Sequence, residues 1–400
     1  MEHWQNSDEQ KPLWERDKSF LHACIAYFVA MLLFVVLRVA SGLGWFGELE
    51  EFLCRELFGK NICDHMTCAG AQVTDIFANV LIQIVIFLVV PLVVFIILSK
   101  EPVDKTLVGI GFNLPGWRVI GFAFLLGLMF YFLNIFVASV AQFPLLLVGY
   151  RFPGGFMPYS GVSGFLILLV IGAVLPGICE EVSNRGILMR GFMSKLGVWR
   201  AVLLSSLIFG LMHMSIVQAI YTAILGGIMA LAILATRSLW TGIIIHFMNN
   251  ALSGLFGFAR DYGFDFLGTV LDMFGALGGL VFFAIPVVMY IFGIRIIHMF
   301  ARENYKKNEK EYFAVFLKNN PEYVAEKLRL GQPISMDEMS ASVDMHTKRL
   351  SKLKAIRFYL EGPTKPKKLD AIEKTLVFGI IFLTSVVTLM TLVWGMPPYF

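Results

Sequence analysis

Charged residues are scarce in this sequence. Asp, Glu, Lys and Arg make up 16% of its 400 residues, whereas about 25% is usual in soluble domains. Hydrophobic residues account for 57% of the chain, and the mean hydropathy is +0.72. This balance excludes a soluble globular domain and predicts an all-α polytopic membrane helical bundle. The net charge of +4 is small and the basic residues mostly flank apolar runs, so no nucleic-acid partner is expected.

The sequence also lacks the pattern of a secretory signal peptide. Residues 1–19 are polar, and the first apolar run begins at Phe20 and continues to about Phe46. A signal peptide would place a shorter apolar core nearer the start and follow it with a small-residue cleavage site. We therefore expect residues 1–19 to form a cytoplasmic segment and the first run to stay in the membrane as an anchor.

Cysteine is rare, and three of the five cysteines (Cys54, Cys63 and Cys68) fall in the predicted outer loop 47–75. Cys63 and Cys68 flank His65, which would suit a metal clip or an external disulfide. Unpaired or incidentally paired thiols are the preferred interpretation, because so few metal ligands accompany them.

Runs of about 20 apolar residues predict about nine transmembrane helices. They lie near 20–46, 76–99, 117–148, 163–185, 198–214, 217–236, 239–258, 268–299 and 374–396. The predicted organisation is a cytoplasmic segment (1–19), N-terminal transmembrane helices with an outer loop (20–158), a central core (159–260), a transmembrane helix (261–300), a charged cytoplasmic insert (301–372) and a C-terminal transmembrane helix (373–400).

Basic residues predict the orientation of these helices, because loops on the cytoplasmic side carry an excess of Lys and Arg. The loops assigned to the cytoplasm hold Lys100, Lys105, Arg118, Arg190, Lys195, Arg200 and Arg237. The opposite loops hold Arg55, Lys60, Arg151 and Arg260, with acidic residues nearby. We therefore expect a multi-pass protein, in the plasma membrane, with a cytoplasmic N-terminus and an external C-terminus.

The insert 301–372 differs from the rest of the chain because it is charged. Its pattern predicts short helices such as Glu311–Leu317 and Pro321–Leu328, followed by a breaker at 362–366. The insert could dock a partner or substrate. A solvated linker with helical turns is the preferred interpretation.

Three short polar segments interrupt apolar helices and carry the chemistry. They are Glu180–Arg185 (EEVSNR), Phe209–His213 (FGLMH) and His246–Asn250 (HFMNN). An ionisable side chain at membrane depth costs about 2.5–3.5 kcal/mol or more, so such residues are rare unless they are paired or functional. Two carboxylates, an arginine, two histidines and an asparagine gathered in this way predict an active site.

The spacing within these segments predicts which side chains meet. Glu181 and Arg185 are four residues apart, so they share a helix face and can neutralise each other. Glu180 points about 100° away around the same helix and stays available as a general base. His246 and Asn250 share a face, and the amide of Asn250 could stabilise an oxyanion. A base, an imidazole and two donors suit hydrolysis by activated water.

The patterns E-E-x-x-x-R, F-x-x-x-H and H-x-x-x-N, in this order on successive membrane helices, resemble the signature of the CPBP intramembrane proteases. This family comprises the type II CAAX prenyl endopeptidases and bacterial relatives called Abi or bacteriocin-processing proteins. The likeness covers about residues 160–258. It implies an intramembrane catalytic cavity and an endopeptidase whose partners are a membrane-associated, prenylated or bacteriocin-like protein or peptide and the lipid bilayer.

The resemblance also assigns roles to individual residues. Six match the functional positions of the family: Glu180, Glu181, Arg185, His213, His246 and Asn250. Glu180 corresponds to the glutamate that activates water, and His213 assists it. His246 and Asn250 correspond to the pair that binds the oxyanion. Asn184 departs from the pattern, since relatives usually carry an aromatic residue there, which implies a different pocket shape.

The sequence leaves the question of a metal open. Glu180, His213 and His246 would make a two-histidine, one-carboxylate set for a divalent ion such as zinc, with a free position for water. The family resemblance admits both a metal-dependent and a metal-free glutamate mechanism. We prefer the metal-free interpretation, because the sequence has no H-E-x-x-H helix and shows no residue that would orient either histidine.

Other functions stay open at this point. Buried charges also form proton or ion paths in transporters, although no paired broken helices in two related halves are visible. A non-catalytic membrane scaffold or bacteriocin-immunity protein would keep the same fold. Cys179 could act as a nucleophile with His213, but the adjacent carboxylates disfavour its thiolate.

Overall fold

The computed structural model describes residues 18–42, 78–150, 161–265, 268–269, 278–310, 313–314, 317, 321–361 and 366–394. Within these residues all regular secondary structure is helical. The helices are α1 (Ser19–Gly42), α2 (Ala78–Ser99), α3 (Val103–Gly109), α4 (Trp117–Leu147), α5 (161–196), α6 (Val198–Leu211), α7 (Ile216–Thr236), α8 (Leu239–Asp261), α9 (Gly278–Lys307), α10 (Pro321–Arg329), α11 (Met336–Lys348), α12 (Lys352–Glu361) and α13 (Ala371–Trp394). Cys54, Cys63, Cys68 and His65 lie outside the described residues.

The architecture is the all-α membrane bundle that the composition predicts. Seven helices of the described chain are long and apolar enough to cross a membrane, namely α1, α2, α4, α5, α7, α8 and α9. Helix α6 has 14 residues, or about 21 Å of length, and is too short to cross a hydrocarbon core of about 30 Å. Each of the nine apolar runs coincides with a helix, and the number of nine spans stays a prediction.

Helix α5 differs most from the predicted boundaries, since it continues to residue 196 and not to 185. It contains two π-helical segments, Leu169–Val174 and Val182–Met189, on either side of Pro176. A proline lacks the N–H that an α-helix needs, and π-helical turns let the backbone adjust without ending the helix. The helix therefore carries Glu180 and Arg185 through the middle of the bundle, packed against α1, α2, α6 and α8.

The charged insert is folded against the bundle in its described part. Helix α10 (Pro321–Arg329) matches the predicted helix, whereas Glu311–Leu317 is only partly described. Helix α12 packs on α9 and buries Ala355, Ile356 and Tyr359. Arg302 Nη2 of α9 lies 3.2 Å from Asp344 Oδ2 of α11. These contacts contradict a freely solvated linker for residues 336–361.

Candidate active site

A cavity of about 600 Å³ lies between α1, α2 and α4–α8. Its lining includes Glu180, His213, His246 and Asn250, so four of the six predicted site residues face one space. The other two, Glu181 and Arg185, are fully buried directly behind it. The fold thus brings all three polar segments together, although 66 residues separate Glu180 from His246 in the sequence.

The two carboxylate oxygens of Glu180, a residue that lines the cavity, differ in their hydrogen-bond partners. Gln83 Nε2 of α2 donates a hydrogen bond of 2.8 Å to Glu180 Oε1. Glu180 Oε2 accepts no hydrogen bond from any described residue, and the side chain is 6% exposed. A carboxylate oxygen without a partner at a cavity wall is a suitable acceptor for a proton of water.

Glu181 joins an arginine and a histidine. Its Oε1 accepts hydrogen bonds from Arg185 Nη1 at 2.7 Å and from His246 Nδ1 at 3.1 Å. The guanidinium of Arg185 also lies 3.8 Å from the centre of the Phe209 ring. A buried charge needs such partners, because removing one of them leaves the other uncompensated. Glu181 therefore neutralises Arg185 and fixes the orientation of the His246 ring.

Two glycines allow this ion pair to fit between the helices. A Cβ atom at Gly226 of α7 would lie 2.6 Å from Arg185 Nη2, and one at Gly242 of α8 would lie 3.0 Å from Glu181 Oε2. Any larger residue would push against the buried charges. The sequence motifs do not reveal these close approaches at Gly226 and Gly242.

His213 does not lie on a helix, although its spacing from Phe209 suggests a shared helix face. Helix α6 ends at Leu211, and His213 sits in the turn before α7. Its Nδ1 donates to the carbonyl of Phe209 at 2.7 Å, which leaves Nε2 as the unprotonated nitrogen of the neutral ring. This turn places His213 at the cavity.

A chain of amide hydrogen bonds fixes Asn250. Asn134 Nδ2 of α4 donates to Asn249 Oδ1 at 2.9 Å, and Asn249 Nδ2 donates to Asn250 Oδ1 at 3.1 Å. Asn250 Nδ2 donates to the carbonyl of Gly172 at 2.8 Å. That carbonyl has no α-helical donor, since the residue four positions later is Pro176. The second hydrogen of the Asn250 amide stays available at the cavity.

Asn184, the position that departs from the family pattern, is fully buried and bonded on both sides. Its amide nitrogen donates to the carbonyl of Glu180 at 2.9 Å, and Tyr27 of α1 donates to its Oδ1 at 2.8 Å. This bridge ties the backbone at Glu180 to α1. These two hydrogen bonds, one of them from Tyr27, explain why the residue at position 184 is polar.

Among the described residues, no three His, Cys, Asp or Glu side chains are grouped closely enough to hold a metal ion. Both histidines nevertheless have a partner that orients the ring, since His246 Nδ1 faces Glu181 and His213 Nδ1 faces the carbonyl of Phe209. The Nε2 atoms would be the ones left for a metal, and the metal-free interpretation stays a prediction.

Four buried or partly buried polar residues at the site were not predicted: Tyr27, Gln83, Asn134 and Asn249. Gln83 and Asn134 are isolated polar residues within apolar helices, and this pattern could have identified them. Cys179 is buried in the core, 1% exposed, and is not among the residues that line the cavity. This position does not suit a nucleophile that must reach a substrate.

Comparison with known families agrees with the site. Residues 162–252 match the family model described as type II CAAX prenyl endopeptidase Rce1-like, and this segment contains all six predicted site residues. The match spans less than a quarter of the chain. No curated protein and no solved structure matches the sequence. The match and the apolar helices together support an integral membrane peptidase of the CAAX type at the level of the family.

Proposed function

We propose that the protein is an intramembrane endopeptidase in which Glu180 activates water for attack on a peptide carbonyl. The observation that carries this proposal is the pair of environments at the Glu180 carboxylate. Gln83 holds Oε1, while Oε2 is buried without a hydrogen-bond partner among the described residues, in a side chain that lines the cavity. A general base needs a fixed orientation and an oxygen that no protein donor occupies, and Glu180 has both.

In the proposed reaction Glu180 Oε2 takes a proton from water as the water oxygen bonds to the carbonyl carbon. His213 accepts a hydrogen bond from the same water through its unprotonated Nε2 and so helps to orient it. The tetrahedral intermediate then breaks at the C–N bond. Glu180 returns the proton to the departing amine, so that protons balance over the cycle. No step requires a metal.

The oxyanion of the intermediate needs hydrogen-bond donors. Asn250 offers the amide hydrogen that Gly172 does not use. His246 donates through Nε2 when it is an imidazolium, since Nδ1–H is directed at Glu181. Arg185 and Glu181 therefore act on the reaction by positioning His246.

The test is cleavage of a peptide library and of a prenylated CAAX peptide by purified protein in detergent. Wild type is compared with Glu180→Gln, with and without a chelator. The matched control is Glu303→Gln, because Glu303 is a surface carboxylate paired with Arg118 at 3.0 Å, far from the site. We expect cleavage by wild type and Glu303→Gln in chelator and none by Glu180→Gln.

Two outcomes would contradict the proposal. Normal cleavage by Glu180→Gln would exclude Glu180 as the base. Loss of wild-type activity with chelator, restored by zinc, would exclude the metal-free mechanism. A scaffold function predicts that a partner still binds the Glu180→Gln variant and that no cleavage is seen with either protein.

A further inference from the structure

The end of helix α6 sets the position of the His213 ring. A helix leaves the carbonyls of its last four residues without partners from its own turns, so other donors must satisfy them. After Leu211 the backbone N–H of His213 donates to the carbonyl of Gly210 at 3.2 Å, and His213 Nδ1 donates to the carbonyl of Phe209 at 2.7 Å. The imidazole is therefore part of the cap of α6, and it keeps its position only if the end of this helix does.

The turn that follows α6 caps the helix poorly by itself. Met214 has a φ of 53°, in the left-handed region that residues with a side chain rarely adopt. Its backbone nitrogen lies 3.4 Å from the carbonyl oxygen of Leu211, which is long for a hydrogen bond. The backbone of the turn thus leaves the carbonyl of Leu211, the last residue of α6, in need of a better donor.

Thr388 of α13 supplies this donor, although it lies 177 positions later in the chain. Thr388 Oγ1 donates to the carbonyl of Leu211 at 2.7 Å, and the residue is 2% exposed. The same hydroxyl lies 3.2 Å from the carbonyl of Thr384 in its own helix. Since a hydroxyl has one hydrogen to donate, the shorter distance identifies Leu211 as its main acceptor.

The first turn of α13 is fixed as well. Glu373 pairs with Lys195, a residue in the last turn of α5, and Lys367 N donates to the carbonyl of Lys195 at 2.7 Å. Glu373 also accepts a hydrogen bond of 3.0 Å from Asp370 N, and the carboxylate of Asp370 accepts one of 2.8 Å from Glu373 N. This reciprocal cap and the ion pair hold the start of α13 against the helix that carries Glu180.

The two fixed points of α13 are about as far apart as the two ends of α6. Thr388 follows Glu373 by 15 residues, which is about 22 Å of helix, and the 14 residues of α6 span about 21 Å. Helix α13 also packs on α1, α6 and α7. It therefore runs alongside α6, from the end of α5 to the turn that carries His213.

We propose that Thr388 is a positioning residue for the reaction: it binds the carbonyl of Leu211 and thereby holds the end of α6 so that His213 stays at the cavity. Thr388 and the whole of α13 lie outside the matched segment 162–252, so the catalytic unit extends to the C-terminal helix. The effect of Thr388 on rate rests on the proposed function, in which His213 orients the water, whereas its effect on the His213 ring does not.

Thr384 provides a matched control, one helical turn before Thr388. The two threonines are 3% and 2% exposed. Thr384 Oγ1 donates to the carbonyl of Ile380, a residue of the same helix, at 2.9 Å. Thr384→Val and Thr388→Val therefore remove the same group from the same helix, and Thr388→Val is the one that removes the hydrogen bond to Leu211.

Rates are compared for wild type, Thr388→Val, Thr388→Ser and Thr384→Val in the same detergent, with a peptide that wild type cleaves. For Thr388→Val we expect kcat to fall about 3- to 10-fold with little change in KM, because one neutral hydrogen bond is lost. Thr388→Ser keeps the hydroxyl and should stay close to wild type, as should Thr384→Val. Equal kcat for the two valine variants, or a serine variant as slow as Thr388→Val, would overturn the proposal.

A second measurement reads the His213 ring without any substrate. Protein with isotope-labelled histidine is studied by NMR, and the ring signal of His213 is identified by its loss in His213→Gln. Thr388→Val should shift or broaden this signal and leave that of His346 in α11 unchanged, whereas Thr384→Val should leave both unchanged. If the His213 signal is the same in Thr388→Val as in wild type, the positioning role is excluded, whatever the variant does to the rate.

Together the two measurements separate the positioning role from the proposed function. A changed His213 signal with a lower kcat in Thr388→Val supports both. A changed His213 signal in a protein whose cleavage does not depend on Glu180 supports the positioning of the ring and contradicts the proposed function.

Discussion

Glu181 accepts a hydrogen bond of 3.1 Å from His246, a residue 65 positions later on another helix. The same oxygen binds Arg185 at 2.7 Å. Glu180, the preceding residue, instead lines the cavity and accepts a hydrogen bond from the neutral side chain of Gln83. Two adjacent carboxylates therefore have different partners. We assign the chemical step to Glu180 and the support of the site to Glu181.

The first prediction compares the two carboxylates. Glu180→Gln should lower cleavage by at least about 100-fold, since a general base contributes about 10²–10⁴ in rate. Its melting temperature should stay close to that of wild type. Glu181→Gln leaves the buried Arg185 without a charged partner among the described residues, which costs about 3–5 kcal/mol in comparable cases. We expect it to lose both stability and activity.

Thermal unfolding and cleavage are measured for both variants in the same detergent. The hypothesis requires that the two variants differ in stability. Equal melting temperatures, with equal losses of activity, would show that Glu181 does not support the fold as its contacts indicate.

The second prediction concerns Gln83, which positions Glu180 from α2. Gln83→Leu keeps the volume but removes the hydrogen bond to Oε1. A hydrogen bond to a charged group contributes about 1.5–3 kcal/mol, so kcat should fall about 10- to 100-fold with little change in KM. Gln142→Leu is the matched control, since Gln142 of α4 lines the same cavity. A rise in KM with unchanged kcat for Gln83→Leu would refute the positioning role.

The sequence predicts the parts of this site that are local along the chain. The ion pair of Glu181 and Arg185 follows from their four-residue spacing, and the structure has it at 2.7 Å. The partners that come from distant helices do not follow, because no pattern relates Gln83 or Tyr27 to residues 97 and 157 positions away. The sequence predicts the end of α5 too early, because polar residues normally end an apolar run. In the structure the helix continues through them to residue 196.

The sequence also does not predict how the insert packs. Its charges are typical of a solvated linker, yet three residues of α12 are buried where this helix packs on α9. The packing depends on Ala355, Ile356 and Tyr359, which lie on one face of α12. This short apolar face does not indicate from the sequence which helix it packs against.

The third prediction concerns the pH dependence of this packing. Burial raises the pKa of Asp344, but the hydrogen bonds and charges of Arg302 and Lys306 together lower it by more. The pKa of Asp344 therefore lies below the usual 3.8. A carboxyl group with a lowered pKa contributes stability that is present above its unfolded pKa and lost as the pH falls through the folded pKa. Hydrogen exchange in residues 336–361 should therefore be slow at neutral pH and increase in acid.

Asp344→Asn should remove the increase of hydrogen exchange in acid. Its residues 336–361 should exchange faster than those of wild type already at neutral pH. Glu326→Gln is the control, because Glu326 is an exposed acidic residue on α10. If wild type and Asp344→Asn show the same pH profile, the ion pair does not hold α11 to α9.

The last prediction uses two neighbouring glycines on α7. A methyl group at Gly226 would lie 2.6 Å from Arg185 Nη2 and 3.1 Å from Phe209 Cδ1, so Gly226→Ala must displace the buried arginine. At Gly227 the nearest atom is Ser206 Oγ at 3.5 Å, an ordinary contact. Overpacking costs about 1–3 kcal/mol, whereas alanine improves helix propensity by up to about 1 kcal/mol. Gly226→Ala should therefore lower the melting temperature and cleavage together, and Gly227→Ala should leave cleavage intact and melt at the same or a higher temperature. Similar behaviour of the two variants would mean that the close approach of α7 to Arg185 does not determine the geometry of the site.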